Sequence, residues 1–356
     1  MSKSMKKTLS IVFRIVVSVI VVFVLLLIML FISEYKPKDV EPVEVTEGAT
    51  RTVSAGDDIT ILTWNVGYGA LGDNADFFMD GGSGVYTASK SRIEENLSGI
   101  LEGIKENNAD IVMLQEVDVN SMRTFGANEK NYFATNIDSA DSSFGYNYRC
   151  LFVPYPIPPF GLINSGIMTL SNYEIEEANR YQLPCPFTWP TRAVNLKRCV
   201  VLNRLPIEGT DKELVIVNLH LEAYDSGEGK IEQTKLLKKI LDAEADKGNY
   251  VIAGGDFNQS FSDVDFSNYP TYDGMWQPGI IDESDFAGWN LLMDESVPSC
   301  RSLDKAYEGA DKENFQYYII DGFIISENVE IKEFETVDYD FVNSDHNPVV
   351  VTVSLE

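Results

Sequence analysis

The sequence contains little histidine, little cysteine and few basic residues. Among its 356 residues there are 2 His and 4 Cys, and 28 Lys and Arg stand against 55 Asp and Glu, which gives a net charge of −27. The cysteines show no CxxC spacing, which argues against a structural zinc site or a redox motif. Such an acidic chain repels polyphosphate at long range, which disfavours DNA or RNA as the partner without excluding a local basic groove.

Residues 1–33 contain no acidic residue, and within them residues 15–33 carry no charge at all. At about 1.5 Å per residue this apolar run is long enough to cross the roughly 30 Å hydrocarbon core of a bilayer. It is apolar on every side, unlike a core helix, and no small-x-small cleavage site follows it, unlike a signal peptide. The sequence therefore predicts an uncleaved signal anchor, a single transmembrane helix over residues 15–33.

The charges that flank this run predict its orientation in the cell membrane. Four basic residues precede it, at Lys3, Lys6, Lys7 and Arg14. The positive-inside rule then places residues 1–14 in the cytoplasm and the rest of the chain outside. Residues 34–57 contain two prolines and several acids with no apolar periodicity, so we expect a solvated tether.

From Ile59 onward, β-rich runs alternate with helical patterns, which predicts one α/β domain over residues 58–356. The predicted strands are Ile59–Val66, Asp110–Gln115, Glu213–Leu221, Tyr250–Gly254, Tyr318–Ser326 and Pro348–Ser354. The predicted helices are Ser91–Asn107 and Ile231–Ala245. Two stretches rich in Gly, Asp, Asn and Ser, Gly69–Lys90 and Asn120–Asn147, are predicted to be long loops.

Polar residues interrupt or follow these apolar strands, where α/β sheets assemble ligand sites. They are Asn65, Glu116, His220, Asp256, Asn258, Asp321, Asp345 and His346. Each one alone has an ordinary explanation as a loop acid, a turn residue or a core histidine. Both histidines of the chain nevertheless fall within this set, which favours a functional grouping.

The set has the chemistry of a metal-assisted phosphoryl centre. Asn65, Glu116 and an acid beside His346 supply hard oxygen ligands, which suit Mg²⁺ or Mn²⁺ better than zinc. Asp256 and Asn258 lie two residues apart on extended chain, so they point to the same side and could orient water and a phosphoryl oxygen. Two imidazoles can neutralise a pentacoordinate transition state or move a proton.

Seven short motifs carry a resemblance to a known family. They are Thr-Trp-Asn-Val (63–66), Leu-Gln-Glu-Val (114–117), Asn-Ser-Gly-Ile (164–167), Asn-Leu-His-Leu (218–221), Gly-Asp-Phe-Asn (255–258), Ile-Asp-Gly-Phe (320–323) and Ser-Asp-His-Asn-Pro (344–348). In this order they resemble the endonuclease/exonuclease/phosphatase superfamily, which includes DNase I-like nucleases, neutral sphingomyelinases and inositol polyphosphate 5-phosphatases. The resemblance runs from about Ile59 to Val353.

The resemblance implies a four-layer α/β sandwich, in which helices flank two packed β-sheets and the site lies at one edge. It also implies a role for each matched residue: Glu116 as main metal ligand with Asn65 and Asp345 nearby, His220 on the phosphate, Asp256 on the attacking water, Asn258 on a phosphoryl oxygen, and Asp321 orienting His346. Whether Asp256 or His346 takes the proton stays open. The loop Gly69–Lys90 and the segment Pro154–Pro159 match no subfamily pattern.

Few basic residues are available to contact a phosphate. Arg149, Arg192, Lys197 and Arg198 cluster in sequence, and we expect Arg192 and Arg198 to bind substrate, with solvated surface charges as the alternative. The leading prediction is an outward-facing Mg²⁺-dependent phosphodiesterase or phosphomonoesterase acting on phospholipid head groups or small organic phosphates. The alternatives are a surface nuclease and a non-catalytic binding module. The specific phosphate ester and the oligomeric state are not predicted.

Overall fold

The computed structural model describes residues 2–137, 140–225 and 227–355. Its α-helices are α1 (Lys3–Ser33), α2 (Lys90–Glu106), α3 (Glu129–Asn136) and α4 (Glu228–Ala245). Its strands are β1 (Val40–Val43), β2 (Val45–Thr46), β3 (Asp58–Asn65), β4 (Ile111–Asp118), β5 (Asp141–Val153), β6 (Gly161–Ser171), β7 (Glu177–Gln182), β8 (Cys199–Pro206), β9 (Glu213–His220), β10 (Tyr250–Asp256), β11 (Gln259–Phe261), β12 (Gly279–Ile281), β13 (Trp289–Leu292), β14 (Cys300–Arg301), β15 (Tyr317–Tyr318), β16 (Asp321–Ser326), β17 (Val329–Thr336) and β18 (Val349–Leu355).

Two large mixed sheets form the centre of the domain. Sheet I has the order β1-β7-β8-β9-β10-β16-β13, and sheet II has the order β17-β18-β3-β4-β6-β5-β2. The central strands are runs of Val, Ile and Leu that are buried along nearly their whole length. Such runs form where both faces of a sheet are covered.

The core lies between the two sheets and on their outer faces. Met113 of sheet II and Ile216, Ile252 and Phe323 of sheet I pack in one cluster between the sheets. On the outer face of sheet II, α2 buries Ile93, Leu97 and Ile100 against Leu62 and Trp64. On the outer face of sheet I, α4 buries Leu237 and Leu241 against Val215 and Val251. The predicted four-layer α/β sandwich is confirmed.

Helix α1 begins earlier than the predicted transmembrane segment and ends where predicted, at Ser33. Its residues up to Leu25 are exposed along the apolar run, which is long and apolar enough to cross a membrane. Only the last turns meet the domain, where Leu30 is buried and where α1 contacts β5 and the 3-10 turn Thr191–Val194.

The prediction that residues 34–57 form a solvated tether is wrong for the part nearest α1. β1 pairs with β7 at the edge of sheet I, and β2 pairs with β5 at the edge of sheet II. Glu34 is buried, with its Oε1 2.9 Å from Nε of Arg192. The physical reason is that both sheet edges offer unpaired backbone N–H and C=O groups, which this extended segment satisfies.

The two predicted loops have different outcomes. Residues 69–89 form 3-10 turns and irregular chain before α2 begins, as predicted. The prediction of a loop over Asn120–Asn147 is wrong, because this stretch contains α3 and the first half of β5. Its polar residues are satisfied inside the protein: Ser143 Oγ lies 2.6 Å from Oδ1 of Asn203 in the facing sheet.

Candidate active site

One edge of the sandwich collects the eight strand-end residues predicted from the sequence. β3 and β4 are parallel neighbours in sheet II, and β9 and β10 are parallel neighbours in sheet I. Asn65, Glu116, His220 and Asp256 therefore lie at or near the carboxyl ends of these strands. Asn258 follows β10 directly, and Asp321, Asp345 and His346 lie at or before the start of the antiparallel strands β16 and β18, with Asp256 directly opposite Asp321 in the register.

His346 is the most firmly held of these side chains. Its Nδ1 lies 2.8 Å from Oδ2 of Asp321, and the same carboxylate oxygen accepts a hydrogen bond from Ser299 Oγ at 2.8 Å. The indole of Trp64 donates to the His346 carbonyl oxygen at 2.8 Å. Burial by itself would lower the pKa of His346, but the charge and hydrogen bond of Asp321 together with the neighbouring Cys300 and Asp345 outweigh it and raise the pKa well above the usual value. The other ring nitrogen, Nε2, is left facing the centre of the site.

Asp256 occupies that centre. Its Oδ2 accepts a hydrogen bond from Asn65 Nδ2 at 3.0 Å and lies 3.3 Å from Nε2 of His220 and 3.9 Å from Nε2 of His346. Its Oδ1 accepts from the backbone N–H of Asn258 at 2.8 Å. Burial, and then the charge of Asp321, raise the pKa of Asp256 to about 7. One carboxylate therefore touches three of the predicted site residues and lies within 4 Å of a fourth.

His220 and Asn258 complete the wall beside Asp256. Burial, then the charges of Arg198 and His346, lower the pKa of His220 well below its usual value, so its imidazole is neutral. Asn258 has a positive φ of 50°, a conformation that asparagine tolerates better than most residues. Its Nδ2 donates to the Leu221 carbonyl oxygen at 3.0 Å, which fixes the direction of the side-chain amide.

Glu116, Asp345 and Asn65 carry side-chain oxygen atoms of the kind that bind a hard divalent cation. Glu116 sits at an irregularity of β4 with a positive φ of 57°, and its carboxylate accepts no hydrogen bond from any residue in the described part of the chain. Asp345 is buried, and burial raises its pKa to about 6 although His346 and Arg301 oppose the shift. Together with the Asn65 amide these groups form the oxygen-rich, negatively charged set that Mg²⁺ or Mn²⁺ prefers.

Cys300 is a neighbour that the sequence analysis missed. Potential ligand atoms of Cys300, Asp345 and His346 lie within 4.8 Å of one another. Burial raises the pKa of the Cys300 thiol to about 12, so it stays protonated and is a poor ligand. All four cysteines are free thiols. The sequence offered no spacing by which Cys300 could have been recognised.

This edge opens into a cavity of about 460 Å³ whose lining includes many aromatic side chains. The aromatic lining residues are Tyr68, Phe77, Phe78, Tyr148, Tyr155, Phe160, Phe187, Tyr224, Trp276 and Tyr318. Two of these come from the loop Gly69–Lys90 and one from Pro154–Pro159, the segments without a recognisable pattern. Together, these two segments are rich in Phe, Tyr and Pro although they are irregular, and this composition was the feature of the sequence that could have indicated an apolar pocket.

The basic residues divide into two groups. Arg198 lines the cavity and is buried, with Nη1 unpartnered among the described residues and Nε 3.9 Å from Oε2 of Glu222. Arg192 is not among the lining residues, because its guanidinium pairs with Glu34 at the end of α1. The structure therefore brings Arg198, and not Arg192, to the cavity with the other predicted site residues. Arg123 and Arg301 also line the cavity and were not predicted.

Comparison with known proteins agrees with this geometry. A family model described as the Endonuclease/Exonuclease/phosphatase family matches residues 62–346, more than half of the chain. The chain belongs to this family. Members of the endonuclease/exonuclease/phosphatase family are typically hydrolases of phosphoesters and commonly use divalent metal ions.

Several solved structures share the fold. An endonuclease/exonuclease/phosphatase from Beutenbergia cavernae has 18% sequence identity and a TM-score of 0.55, over 84% of this chain and 72% of that one. A functionally unknown conserved protein from Enterococcus faecalis has 12% identity and a TM-score of 0.54, over 84% of this chain and 100% of that one. The human Nocturnin catalytic domain with bound sulfate anion has 15% identity and a TM-score of 0.50, over 88% and 98%. No curated protein matches.

Proposed function

We propose that this protein is a divalent-metal-dependent phosphoester hydrolase, held by α1 on the outer side of the cell membrane, that cleaves phospholipid head groups or small organic phosphates. The observation that carries the proposal is the buried Asp256–His346–Asp321 arrangement at the mouth of an aromatic cavity. Membership of a family of phosphoester hydrolases supports the reaction class.

The side chains would divide the work as follows. Asn65, Glu116 and Asp345 would hold Mg²⁺, or Mn²⁺ in its place, and the cation would polarise the phosphoryl group. Oδ2 of Asp256 and Nε2 of His346 lie 3.9 Å apart. One of them would hydrogen-bond the attacking water and the other a phosphoryl oxygen. Asn258 and neutral His220 would donate hydrogen bonds to the phosphoryl oxygens.

The lining of the cavity favours a substrate with an apolar part. Aromatic walls contribute stacking and apolar contact, and the three arginines among the lining residues are all buried. Arg123 is already paired with Asp118 through two hydrogen bonds, of 2.9 and 3.0 Å, and Arg301 donates to the carbonyl oxygens of Ser302 and Gly72. Arg198 is therefore the arginine best placed to contact a phosphate. A nuclease would need a continuous row of basic side chains along the nucleic-acid backbone, and the buried arginines of this cavity favour a smaller substrate.

The test is hydrolysis by the full-length protein in detergent or vesicles, with Mg²⁺ or with chelator. The substrates are phospholipid vesicles, bis(4-nitrophenyl) phosphate and supercoiled plasmid, and His346→Ala is the blank. Metal-dependent release of phosphate or head group that the variant lacks supports the proposal. Plasmid nicking alone would establish the nuclease instead, and no hydrolysis of any substrate would favour the binding module.

A further inference from the structure

The chain leaves α1 at the same edge of the sandwich that carries the catalytic residues. The register joins four residues in one row across sheet I: Val40 opposite Tyr181, Tyr181 opposite Val200, and Val200 opposite Leu219. Leu219 directly precedes His220. The start of β1 therefore lies at the same end of the sheet as His220, about three strand spacings, or roughly 14 Å, across the sheet from Leu219. A membrane crossed by α1 would therefore lie on the active-site side of the domain.

The domain also packs along the last turns of α1. All residues of the apolar run up to Leu25 are exposed, whereas Leu26, Leu27 and Met29 are half-buried and Leu30 is buried. Leu26 lies about 10 Å below Ser33 along the helix axis. The parts of the domain that contact α1, β5 and the turn Thr191–Val194, therefore lie at the depth of the membrane interface.

These same elements expose large apolar side chains. Leu151 at the end of β5 is 56% exposed, Tyr155 and Ile157 in the β5–β6 connection are 68% and 90% exposed, and Trp189 before the turn is 44% exposed. The hydroxyl of Tyr148 donates to the Val194 carbonyl oxygen at 2.8 Å, which ties β5 to the turn. We call the surface formed by Leu151, Tyr155, Ile157 and Trp189 the apolar rim.

Exposed cations lie on elements that adjoin α1 and the apolar rim. Arg149 is exposed on β5, two residues before Leu151, and Lys36 and Lys38 are exposed in the chain that leaves α1, together with the exposed Asp39. Tyr and Trp prefer the level of lipid head groups, and each Lys or Arg near an anionic leaflet adds about 1 kcal/mol of attraction. The rim thus combines an apolar tip, interfacial aromatics and flanking cations.

We infer that the apolar rim docks into the outer leaflet of the bilayer that α1 spans. The inference rests on the proposed membrane display. Val153, Pro154 and Tyr155 belong both to this region and to the cavity wall, so docking would place the apolar side of the cavity against lipid. A phospholipid could then reach the catalytic edge without its acyl chains crossing water.

The test measures the quenching of tryptophan emission in full-length protein reconstituted into vesicles of phosphatidylcholine or of its brominated analogue, which quenches only nearby indoles. Trp189→Phe should reduce the bromine-sensitive emission, since of the other three tryptophans Trp64 is buried in the core and Trp276 and Trp289 are half-buried. In that background, Ile157→Trp should restore strong quenching. The matched control is Asp211→Trp, at an exposed residue two positions before β9, at the end of that strand opposite His220.

Quenching of Ile157→Trp but not of Asp211→Trp supports the docking. Equal and weak quenching of both variants overturns it. Crosslinked dimers in which a second copy of the chain covers the apolar rim would overturn it as well. Hydrolysis of bis(4-nitrophenyl) phosphate is measured on the same samples. Because that substrate is soluble, activity without quenching refutes docking alone, and quenching without activity refutes the hydrolase alone.

Discussion

Nδ1 of His346 lies 2.8 Å from Oδ2 of Asp321, and both side chains are almost completely buried. A carboxylate in this position sets the ring orientation and stabilises positive charge on the imidazole. We expect Asp321→Asn to lower kcat by about 10²- to 10⁴-fold, because the amide keeps the shape of the side chain but loses the charge. Steady-state kinetics with a thermal unfolding curve would check this, and a kcat near that of the wild type would refute the role of Asp321.

The Glu116 carboxylate accepts no hydrogen bond from the described residues, and Nε2 of His220 lies 3.9 Å from its Oε1. Its oxygen atoms are therefore free to bind a cation. Glu116→Gln should raise the Mg²⁺ concentration for half-maximal activity by about 10-fold or more, because a charged ligand is replaced by a neutral one. Glu228→Gln, at an exposed position in the first turn of α4, is the matched control. If both variants titrate with Mg²⁺ like the wild type, Glu116 is not a ligand.

Arg198 and Arg192 offer a paired comparison, since only Arg198 lines the cavity. Arg198→Met should raise KM for a phosphate ester about 10-fold, which corresponds to the loss of one charge-assisted hydrogen bond of roughly 1.5–3 kcal/mol. Arg192→Met should leave KM unchanged. An increase in KM for Arg192→Met alone would reverse the assignment made here.

Removal of the membrane helix should depend on where the chain is cut. A chain of residues 34–356 keeps β1 and β2, whereas residues 58–356 leave both sheet edges bare. We expect the shorter chain to lose about 2 kcal/mol or more of unfolding free energy, from the burial of Val43 and Val45 alone. Urea unfolding of both chains measures the difference. Equal midpoints and slopes would mean that the two edge strands contribute nothing.

The strand-end chemistry was predictable because it is local. Asn65, His220 and Asp256 each terminate an apolar run, and a polar residue in that place is visible in the sequence itself. Parallel strands then bring such ends to one edge, so the grouping of the site follows from the predicted fold.

Other features depend on contacts between distant parts of the chain. The pairing of β1 with β7 and the ion pair between Glu34 and Arg192 join residues far apart in sequence, so no local pattern reveals them. The first half of β5 was predicted as a loop because it is rich in Ser and Asn, and the hydrogen bond that Ser143 donates to Asn203 on the facing sheet is not visible in a local pattern. The aromatic cavity likewise draws its walls from several separate loops.

The strands that follow α1 also constrain the order of folding during synthesis. Val45 pairs with Ser143 and Val40 pairs with Tyr181, so β2 has no strand partner until β5 has been made and β1 has none until β7 has been made. Until then β1 is an unpaired segment of extended chain. A nascent chain that stalls before β7 would therefore present β1 as an open strand to any other extended chain nearby.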